Sequence, residues 1–455
     1  MSISITQYEE FKESLRFDAE YYKKEYLETE EKLESHKHFT ILSKVAISSK
    51  KRYNPIKEPQ NEFYYVEIDG VNLQNGFFSY EKLKNFKAPS RARRLLEFED
   101  VFVSTVRPNR NAVSIFLKKE KNFVCSTGFA VIKSEKINPY FLFSYLKTKY
   151  AINQLVRRTS AAMYPAVNET EILNLKIINP KKNIQEKVQN NILKAQELKK
   201  VAEDKYKEAE VILYKELKLN NLNIKKNNVS IIEYNDFISE DRYDAQFFSS
   251  RKIKDIFEDK FDMKSLKSLT EKIDTGLTPA KDDYWHKGNP VLKMGCLTNE
   301  CIDWSKIEFA NDSYYIKSRR FCIQEKDILL TSSAHALEHI AKKVNVVLNI
   351  PAEYKKDLVF VGELMLLRVK EKLINPFYLA LFLKTHIGYK LLQNCIRGQT
   401  AHIYPKDVED IHIPVINPKK QEKISKLIVE SQKGMKEATE LIKKSIQEIN
   451  KIIEN

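Results

Sequence analysis

The chain has 455 residues, of which 42% are apolar, so it is long enough for two domains with buried cores and is not disordered throughout. Lys and Arg exceed Asp and Glu by 77 to 62, a formal net charge of +15 that favours a polyanionic partner, either nucleic acid or an anionic membrane surface; a generally lysine-rich proteome is the competing explanation. No apolar run approaches the roughly 20 residues of a membrane span, and the N-terminal residues and five unpatterned cysteines predict a reducing, cytoplasmic location.

The chain repeats itself from its first residues onward. RFDAEYY at Arg16–Tyr22 recurs as RYDAQFF at Arg242–Phe248. INPYFLFSYLKT at Ile137–Thr148 recurs as INPFYLALFLKT at Ile374–Thr385. Similarity at so long a period indicates a tandem duplication, with each half about 230 residues long.

Both halves have the same order of predicted elements. Short runs rich in Tyr, Phe, Val and Ile predict strands. An Asn-Pro start then predicts an amphipathic helix at Pro139–Leu155 and at Pro376–Cys395. A polar loop follows at Arg157–Asn168 and at Arg397–Asp407, and then a short strand. This mixture of helices and strands predicts an α+β fold for each half.

Each half closes with a long helix that carries a heptad pattern. From Ile424, steps of four and three residues give Ile424, Ile428, Ser431, Met435, Ala438, Ile442, Ser445, Ile449 and Ile452. The same steps upstream give Val188, Ile192, Ala195, Lys199, Ala202, Tyr206, Ala209, Leu213 and Glu216. A heptad stripe needs a partner helix, and the matching pattern predicts that the partner lies in the same chain.

Catalytic motifs are missing from the sequence. His335–His339 matches the H-x-x-E-H pattern of zinc proteases, but it follows a predicted strand, and the matching place in the first half, Arg107–Asn111, has no histidine. Only 10 glycines leave little room for glycine-rich phosphate loops. We therefore predict no catalytic residue and no metal site.

Basic and polar segments are the remaining candidates, because Arg, Lys, Asn and hydroxyl side chains bind phosphates and base edges. The competing explanation for each is a solvated loop or a structural turn. The candidate DNA-binding residues are Arg107, Asn109, Arg110, Asn111, Arg157, Arg158, Thr159, Ser160, Tyr164, Thr278, Lys281, Tyr284, Trp285, Arg397, Gln399, Thr400, His402 and Tyr404.

The sequence resembles the specificity subunit of type I restriction-modification enzymes along essentially its whole length. The resemblance rests on TGLTPAKDDYW at Thr275–Trp285, the I-N-P-[YF] helix starts, and above all RGQTAHIYPKDVEDIHIPVINPKKQEKI at Arg397–Ile424. The first half departs from the pattern, with Ser48–Pro55 in place of the T-G-x-T-P turn, and the second half lacks the Arg-Pro pair of Arg107-Pro108. These differences imply that the halves read different DNA sequences.

The resemblance implies two tandem mixed α/β target-recognition domains, separated by two long helices that form an antiparallel coiled coil with pseudo-two-fold symmetry. We place the boundaries at 1–182 for the first recognition domain, 183–217 for the first long helix, 218–228 for a linker, 229–420 for the second recognition domain and 421–455 for the second long helix.

It also implies a division of labour in phage defence. This chain would bind double-stranded DNA at a bipartite, non-palindromic site and would dock two methyltransferase subunits and restriction (translocase) subunits. It would need no cofactor, because S-adenosylmethionine, ATP and Mg belong to the partner chains. Two alternatives stay open: a recognition subunit of a type IIB-like complex, and a coiled-coil scaffold that binds no DNA.

Overall fold

A computed structural model describes residues 16–57, 60–159, 165–221, 231–239, 257, 260–299, 301–355, 357–397 and 401–455. The chain divides into two compact units. Unit 1 comprises Met1–Lys199 and Met435–Asn455, and unit 2 comprises Lys200–Gly434. The repeated segment Arg242–Phe248 and residues 222–228 of the predicted linker lie outside the described residues.

The strands of unit 1 are short and rich in Val, Phe and Ile. They are β1 (Phe39–Ile41), β2 (Ala46–Ser48), β3 (Glu62–Val66), β4 (Glu81–Lys84), β5 (Ala92–Leu95), β6 (Val101–Ser104), β7 (Val113–Ile115), β8 (Phe123–Ser126), β9 (Phe129–Ser134) and β10 (Lys176–Ile178). Among the described residues they form two four-stranded sheets, in the orders β2-β9-β6-β7 and β4-β3-β8-β5, and the pair β1-β10.

Unit 2 repeats one four-stranded sheet, the two-stranded pair and three strands of the other sheet, whose fourth strand lies at the opposite edge. Its strands are β11 (Asp262–Ser265), β12 (Thr270–Thr275), β13 (Tyr284–Trp285), β14 (Asn289–Leu292), β15 (Glu308–Ala310), β16 (Ile328–Thr331), β17 (Val344–Val346), β18 (Val359–Phe360), β19 (Leu364–Val369) and β20 (His412–Val415). The orders are β12-β19-β16-β17, β13-β15-β14-β18 and β11-β20. In each unit one parallel pair, β3-β8 or β14-β18, lies within an otherwise antiparallel sheet. The predicted duplication and the α+β class are confirmed.

The α-helices of the described residues follow in chain order. They are α1 (Lys24–Glu34), α2 (Pro139–Leu146), α3 (Lys149–Arg157), α4 (Glu169–Leu173), α5 (Lys182–Glu216), α6 (Tyr234–Ser239), α7 (Leu266–Leu269), α8 (Asp312–Ser318), α9 (Pro376–Lys384), α10 (His386–Gln393), α11 (Pro405–Glu409) and α12 (Pro418–Glu454).

The Asn-Pro starts are helix caps, as predicted. The Asn138 side chain accepts hydrogen bonds from the backbone N–H groups of Tyr140 and Phe141, and Asn375 caps α9 in the same way. The predicted single helix at Pro139–Leu155 is wrong, however. The first helix ends before Thr148, and the Thr148 side chain caps a second helix, α3. Hydroxyl caps compete with continuation of a helix, which is why the break falls at a threonine.

In the second half the break falls at Thr385, and the turn is tight. The Thr385 side chain accepts a hydrogen bond from Gly388 N. A Cβ built at Gly388 would lie 2.2 Å from Phe382 O. Only glycine therefore allows α9 and α10 to approach this closely.

The heptad stripes of the two long helices are buried in each unit. In unit 1 Val188 and Ile192 of α5 share a core with Ile442 and Ile449 of α12. In unit 2 Ala209 and Leu213 share a core with Ile424 and Ile428.

Three ion pairs join the two long helices within unit 2, and their residues follow opposite orders along the two helices. Lys205 pairs with Glu430, Glu208 with Lys423 and Glu216 with Lys420. The segments of α5 and α12 in this unit are therefore antiparallel.

The aspartates that precede β6 and β16, Asp100 and Asp327, have different side-chain partners in the two units. Asp100 accepts a hydrogen bond from Glu97 N (2.8 Å), and Asp327 accepts the equivalent bond from Gln324 N (2.7 Å). Asp327 also forms two hydrogen bonds with Arg368, of 2.8 and 2.7 Å. Burial raises the pKa of Asp100 to about 6. Between about pH 4 and pH 6 the folded state therefore holds a proton that the unfolded state has lost, and stability falls as pH rises.

We expect Asp100→Asn to relieve this cost, because the Asn oxygen can still accept from Glu97 N. At pH 7 the free energy of unfolding should rise by roughly 1–2 kcal/mol, and the gain should vanish below about pH 4. Urea denaturation between pH 4 and pH 8 measures both. Asp327→Asn is the matched control, and it should destabilise because Arg368 loses its partner. Equal behaviour of the two variants would contradict the role given to Asp100.

Candidate nucleic-acid interface

Three chain segments meet at one end of the β6 sheet in unit 1. Thr105, which follows β6, donates its backbone N–H to Gly128 O (2.8 Å) and accepts from Val167 N (2.9 Å). Arg107 N donates to Pro165 O at 2.8 Å. The loop after β6 and the loop after α3 are thus joined by backbone hydrogen bonds.

Unit 2 has the same arrangement at the equivalent place. Ser332, which follows β16, donates to Glu363 O (2.9 Å) and accepts from Ile403 N (2.8 Å). Ser333 and His402 form an isolated antiparallel bridge. The duplication therefore extends to individual hydrogen bonds, although the side chains at the two places differ.

The loop from Arg107 to Asn111 presents three of its four predicted contacts. Arg107, Asn109 and Arg110 are exposed. Asn111 is buried, and its Nδ2 donates to Leu146 O at 3.0 Å. Arg107 and Asn111 both have left-handed backbones, with φ of 50° and 53°, a conformation that asparagine tolerates better than most residues. The prediction for Asn111 is therefore wrong: it holds the loop from inside the domain.

The structure also contradicts the prediction for Arg157, which is buried. Its guanidinium lies 2.9 Å from a Glu30 carboxylate oxygen, and its Nε donates to Tyr21 O at 3.0 Å. Arg158 pairs with Glu30 at 2.9 Å, and Thr159 Oγ1 donates to Val156 O at 2.8 Å. The buried Glu30 carboxylate requires compensating cations, so the arginines turn inward rather than toward a ligand.

Arg397 at the matching place in unit 2 is partly exposed and also paired. Its Nε donates to Asp407 Oδ1 at 2.7 Å, and that carboxylate is almost fully buried. His402 stacks on the exposed Tyr404, with ring centroids 6.0 Å apart. Exposed aromatic faces of this kind suit stacking against bases or sugars.

Four predicted residues lie outside the described part of the chain. They are Ser160, Tyr164, Gln399 and Thr400.

The turn Thr275–Trp285 brings Thr278 to the same end of unit 2. Thr278 Oγ1 donates to Glu363 Oε2 (2.7 Å) and accepts from Gly362 N (3.0 Å). A Cβ at Gly276 would lie 2.0 Å from Phe360 O, so this approach requires glycine.

The remaining residues of this turn lie close to β13. Lys281 is exposed, and Trp285 keeps 64% of its surface exposed. Tyr284 lies under Lys293 Nζ, 4.7 Å from the ring centroid. The sequence-predicted contacts of unit 2 are therefore divided between the strand-end loops and the β13 sheet.

Basic residues that the motifs above do not include lie beside the unit 1 loops. The run Ser90–Arg94 contains three arginines, and Thr127 N donates to Arg91 O at 2.8 Å. The sequence signal that could have identified these residues is the arginine-rich run itself.

The structure offers no metal centre within the described ranges: no group of three or more His, Cys, Asp or Glu side chains is placed to hold an ion there. The H-x-x-E-H segment contains a short 3-10 turn, Leu337–His339. Among the described helices, none is both long and apolar enough to cross a membrane.

Comparisons with known proteins were made at the level of families, curated proteins and solved structures. Residues 258–451 match the model of the type I restriction modification DNA specificity domain. No curated protein matches.

Three solved structures resemble the chain at low sequence identity. One belongs to a study of complex assembly and conformational transition of the type I R-M system (18% identity, TM-score 0.33, covering 91% of this chain and 97% of that one). The HsdS subunit from Thermoanaerobacter tengcongensis has 18% identity and a TM-score of 0.33, covering 91% and 95%. The S subunit from M. genitalium has 10% identity and a TM-score of 0.40, covering 91% and 94%.

The range that matches the family model, residues 258–451, lies within the second half of the chain. The first half, which that match does not reach, repeats motifs, one four-stranded sheet order and several backbone hydrogen bonds of the second. The second half of the chain is therefore similar to the type I restriction modification DNA specificity domain.

Proposed function

We propose that this chain is the DNA-recognition subunit of a type I restriction-modification enzyme, and that each unit reads one part of a split, non-palindromic site. The observation that carries the proposal is the repeated strand-end arrangement with different exposed side chains. Unit 1 presents Arg107, Asn109 and Arg110 there, whereas unit 2 presents Thr278 and the His402–Tyr404 pair. One scaffold with two sets of side chains suits two different DNA sequences.

The exposed loop of unit 1 has the chemistry of direct base readout. Arginine can donate two hydrogen bonds to guanine O6 and N7, and asparagine can exchange two with adenine N6 and N7. The left-handed residues Arg107 and Asn111 bracket the 3-10 turn Pro108–Arg110, and Asn111 is anchored inside the domain. A loop anchored in this way loses little conformational entropy when it binds.

The finer composition of the complex is part of the same proposal. Two methyltransferase subunits would dock on the long helices α5 and α12, and restriction subunits would join them. S-adenosylmethionine, ATP and Mg would be used by those partners. The recognition domains 1–182 and 229–420 and the linker 218–228 stay predictions.

The target sequence tests the function directly. Cells that carry the chain with its methyltransferase should show modified bases, by single-molecule sequencing, at one motif made of two defined parts separated by unspecified base pairs. Cells with the methyltransferase alone are the control and should lack the motif. A continuous or palindromic motif, or no methylation that depends on this chain, would contradict the proposal.

A further inference from the structure

A short extended segment runs along the free edge of β5 in unit 1. Arg52 and Arg94 form an antiparallel bridge. Tyr53 N donates to Arg93 O at 2.8 Å, and Leu95 N donates to Lys51 O at 3.4 Å. The bridge places Arg52 directly opposite Arg94.

Such an arrangement of like charges is unfavourable by itself. Arg94 is buried, and one of its guanidinium nitrogens, Nη2, pairs with Glu169. The other nitrogen, Nη1, is buried and has no hydrogen-bond partner in the part of the chain that the structure describes. A second carboxylate, Glu97, pairs with Lys51 and Lys133. Glu169 therefore pairs with Arg94, and Glu97 pairs with Lys51 and Lys133. Arg52 and Arg91 are exposed.

A β-bulge adds a third accessible arginine. Ala92 pairs with Ser126 and Arg94 with Cys125, so Arg93 is the extra residue on β5. Bulges commonly re-aim a side chain, and Arg93 is half-exposed. We name Arg52, Arg91 and Arg93 the arginine ridge.

Backbone hydrogen bonds connect the ridge to the strand-end loops. Thr127 N donates to Arg91 O (2.8 Å), and the next residue, Gly128, accepts from Thr105 N (2.8 Å) and Thr105 Oγ1 (3.0 Å). Thr105 lies two residues before Arg107. These hydrogen bonds link the backbone at Arg91 to the residues that lead into the Arg107–Asn111 loop.

We propose that the arginine ridge binds the phosphate backbone of the DNA whose bases the Arg107–Asn111 loop reads. This inference rests on the proposed function. Phosphates would add negative charge beside the exposed Arg52, which lies opposite the buried Arg94, and Arg can bind them through two parallel hydrogen bonds. The ridge sets affinity and register without choosing a base sequence, because phosphate contacts carry no direct sequence information.

The test is a salt titration with the full chain in complex with its methyltransferase. The probe is a labelled, random-sequence duplex, and log affinity is plotted against log salt concentration. R52Q/R91Q should reduce the slope by about 1.8, because each lost phosphate contact accounts for about 0.9. The affinity advantage of the wild type should then shrink roughly tenfold between 50 mM and 200 mM salt. The sequence methylated in cells should stay the same.

Two further variants separate the effect of losing the ridge arginines from the effect of losing any two positive charges. K84Q/K87Q removes two exposed cations at the end of β4 and in the turn after it, at the opposite edge of the same sheet, and should keep the wild-type slope. R52K/R91K keeps the charges and should also keep it. The proposal is overturned if R52Q/R91Q and K84Q/K87Q change the slope equally, or if R52Q/R91Q alters the methylated sequence. Failure of the wild-type complex to bind DNA at all would instead overturn the proposed function.

Discussion

Replacing Glu30 by Gln should lower the free energy of unfolding of unit 1 by about 3–5 kcal/mol. The Glu30 carboxylate is buried and faces three cations: Arg157 and Arg158, each at 2.9 Å, and Lys176 at 2.6 Å. Glutamine has nearly the same shape but no charge, so the variant would leave these cations in a poorly solvated place without their counter-ion. Urea denaturation at pH 7 measures the loss.

The matched control for this variant is Glu34→Gln. Glu34 also pairs with Lys176 at 2.6 Å, but half of its side chain is exposed. Exposed pairs contribute little, so the change should be under about 1 kcal/mol. Equal effects of the two variants would show that burial of Glu30 does not decide the stability of this cluster.

The same cluster makes the stability of unit 1 depend on pH in the acidic range. Burial opposes ionisation of Glu30, but Arg158, Arg157 and Lys176 outweigh it and hold the pKa of Glu30 below its usual value. The stabilisation is therefore complete above about pH 4.3, the unfolded pKa of glutamate, and is lost as pH falls below it. The difference between the wild type and Glu30→Gln should shrink over that acidic range.

Lengthening both long helices by one heptad should change the DNA site that the enzyme recognises. Seven residues inserted after Ala202 in α5 and after Ala438 in α12 add about 10 Å to each helix and keep the apolar stripes paired. At about 3.4 Å per base pair, we expect the two parts of the target to stay the same and to lie about three base pairs further apart. Sequencing of modified bases in cells reads the spacing directly.

An insertion in α5 alone is the control for the heptad experiment. The lengthened α5 would then face an α12 of the original length, so the heptad stripes would no longer pair along the whole helix. Methylation should therefore be lost. Methylation by the doubly lengthened protein at the original spacing would show that these helices do not set the distance between the two parts of the site.

Much of the architecture follows from local patterns in the sequence. The heptad steps from Ile424 and from Val188 predict the buried stripes of α12 and α5, because a helix places residues three and four apart on one face. The Asn138-Pro139 and Asn375-Pro376 pairs predict the helix starts, because the cap and the fixed proline φ act within one turn. The repetition of these patterns is enough to predict two units of the same fold.

The candidate site depended instead on contacts between residues far apart in the chain. Arg107 and Arg157 both belong to basic, polar segments of the sequence. Arg107 is exposed, whereas Arg157 is the last residue of α3 and is buried against Glu30, which no sequence spacing links to it. The arginine-rich run marks Arg91, but no sequence pattern links it to Arg52, which only the pairing with Arg94 brings beside β5. The sequence by itself determined the repeats, caps and stripes, because those interactions are local. The tertiary structure alone decided which basic side chains face solvent, because burial and ion pairing depend on the partners that folding brings together.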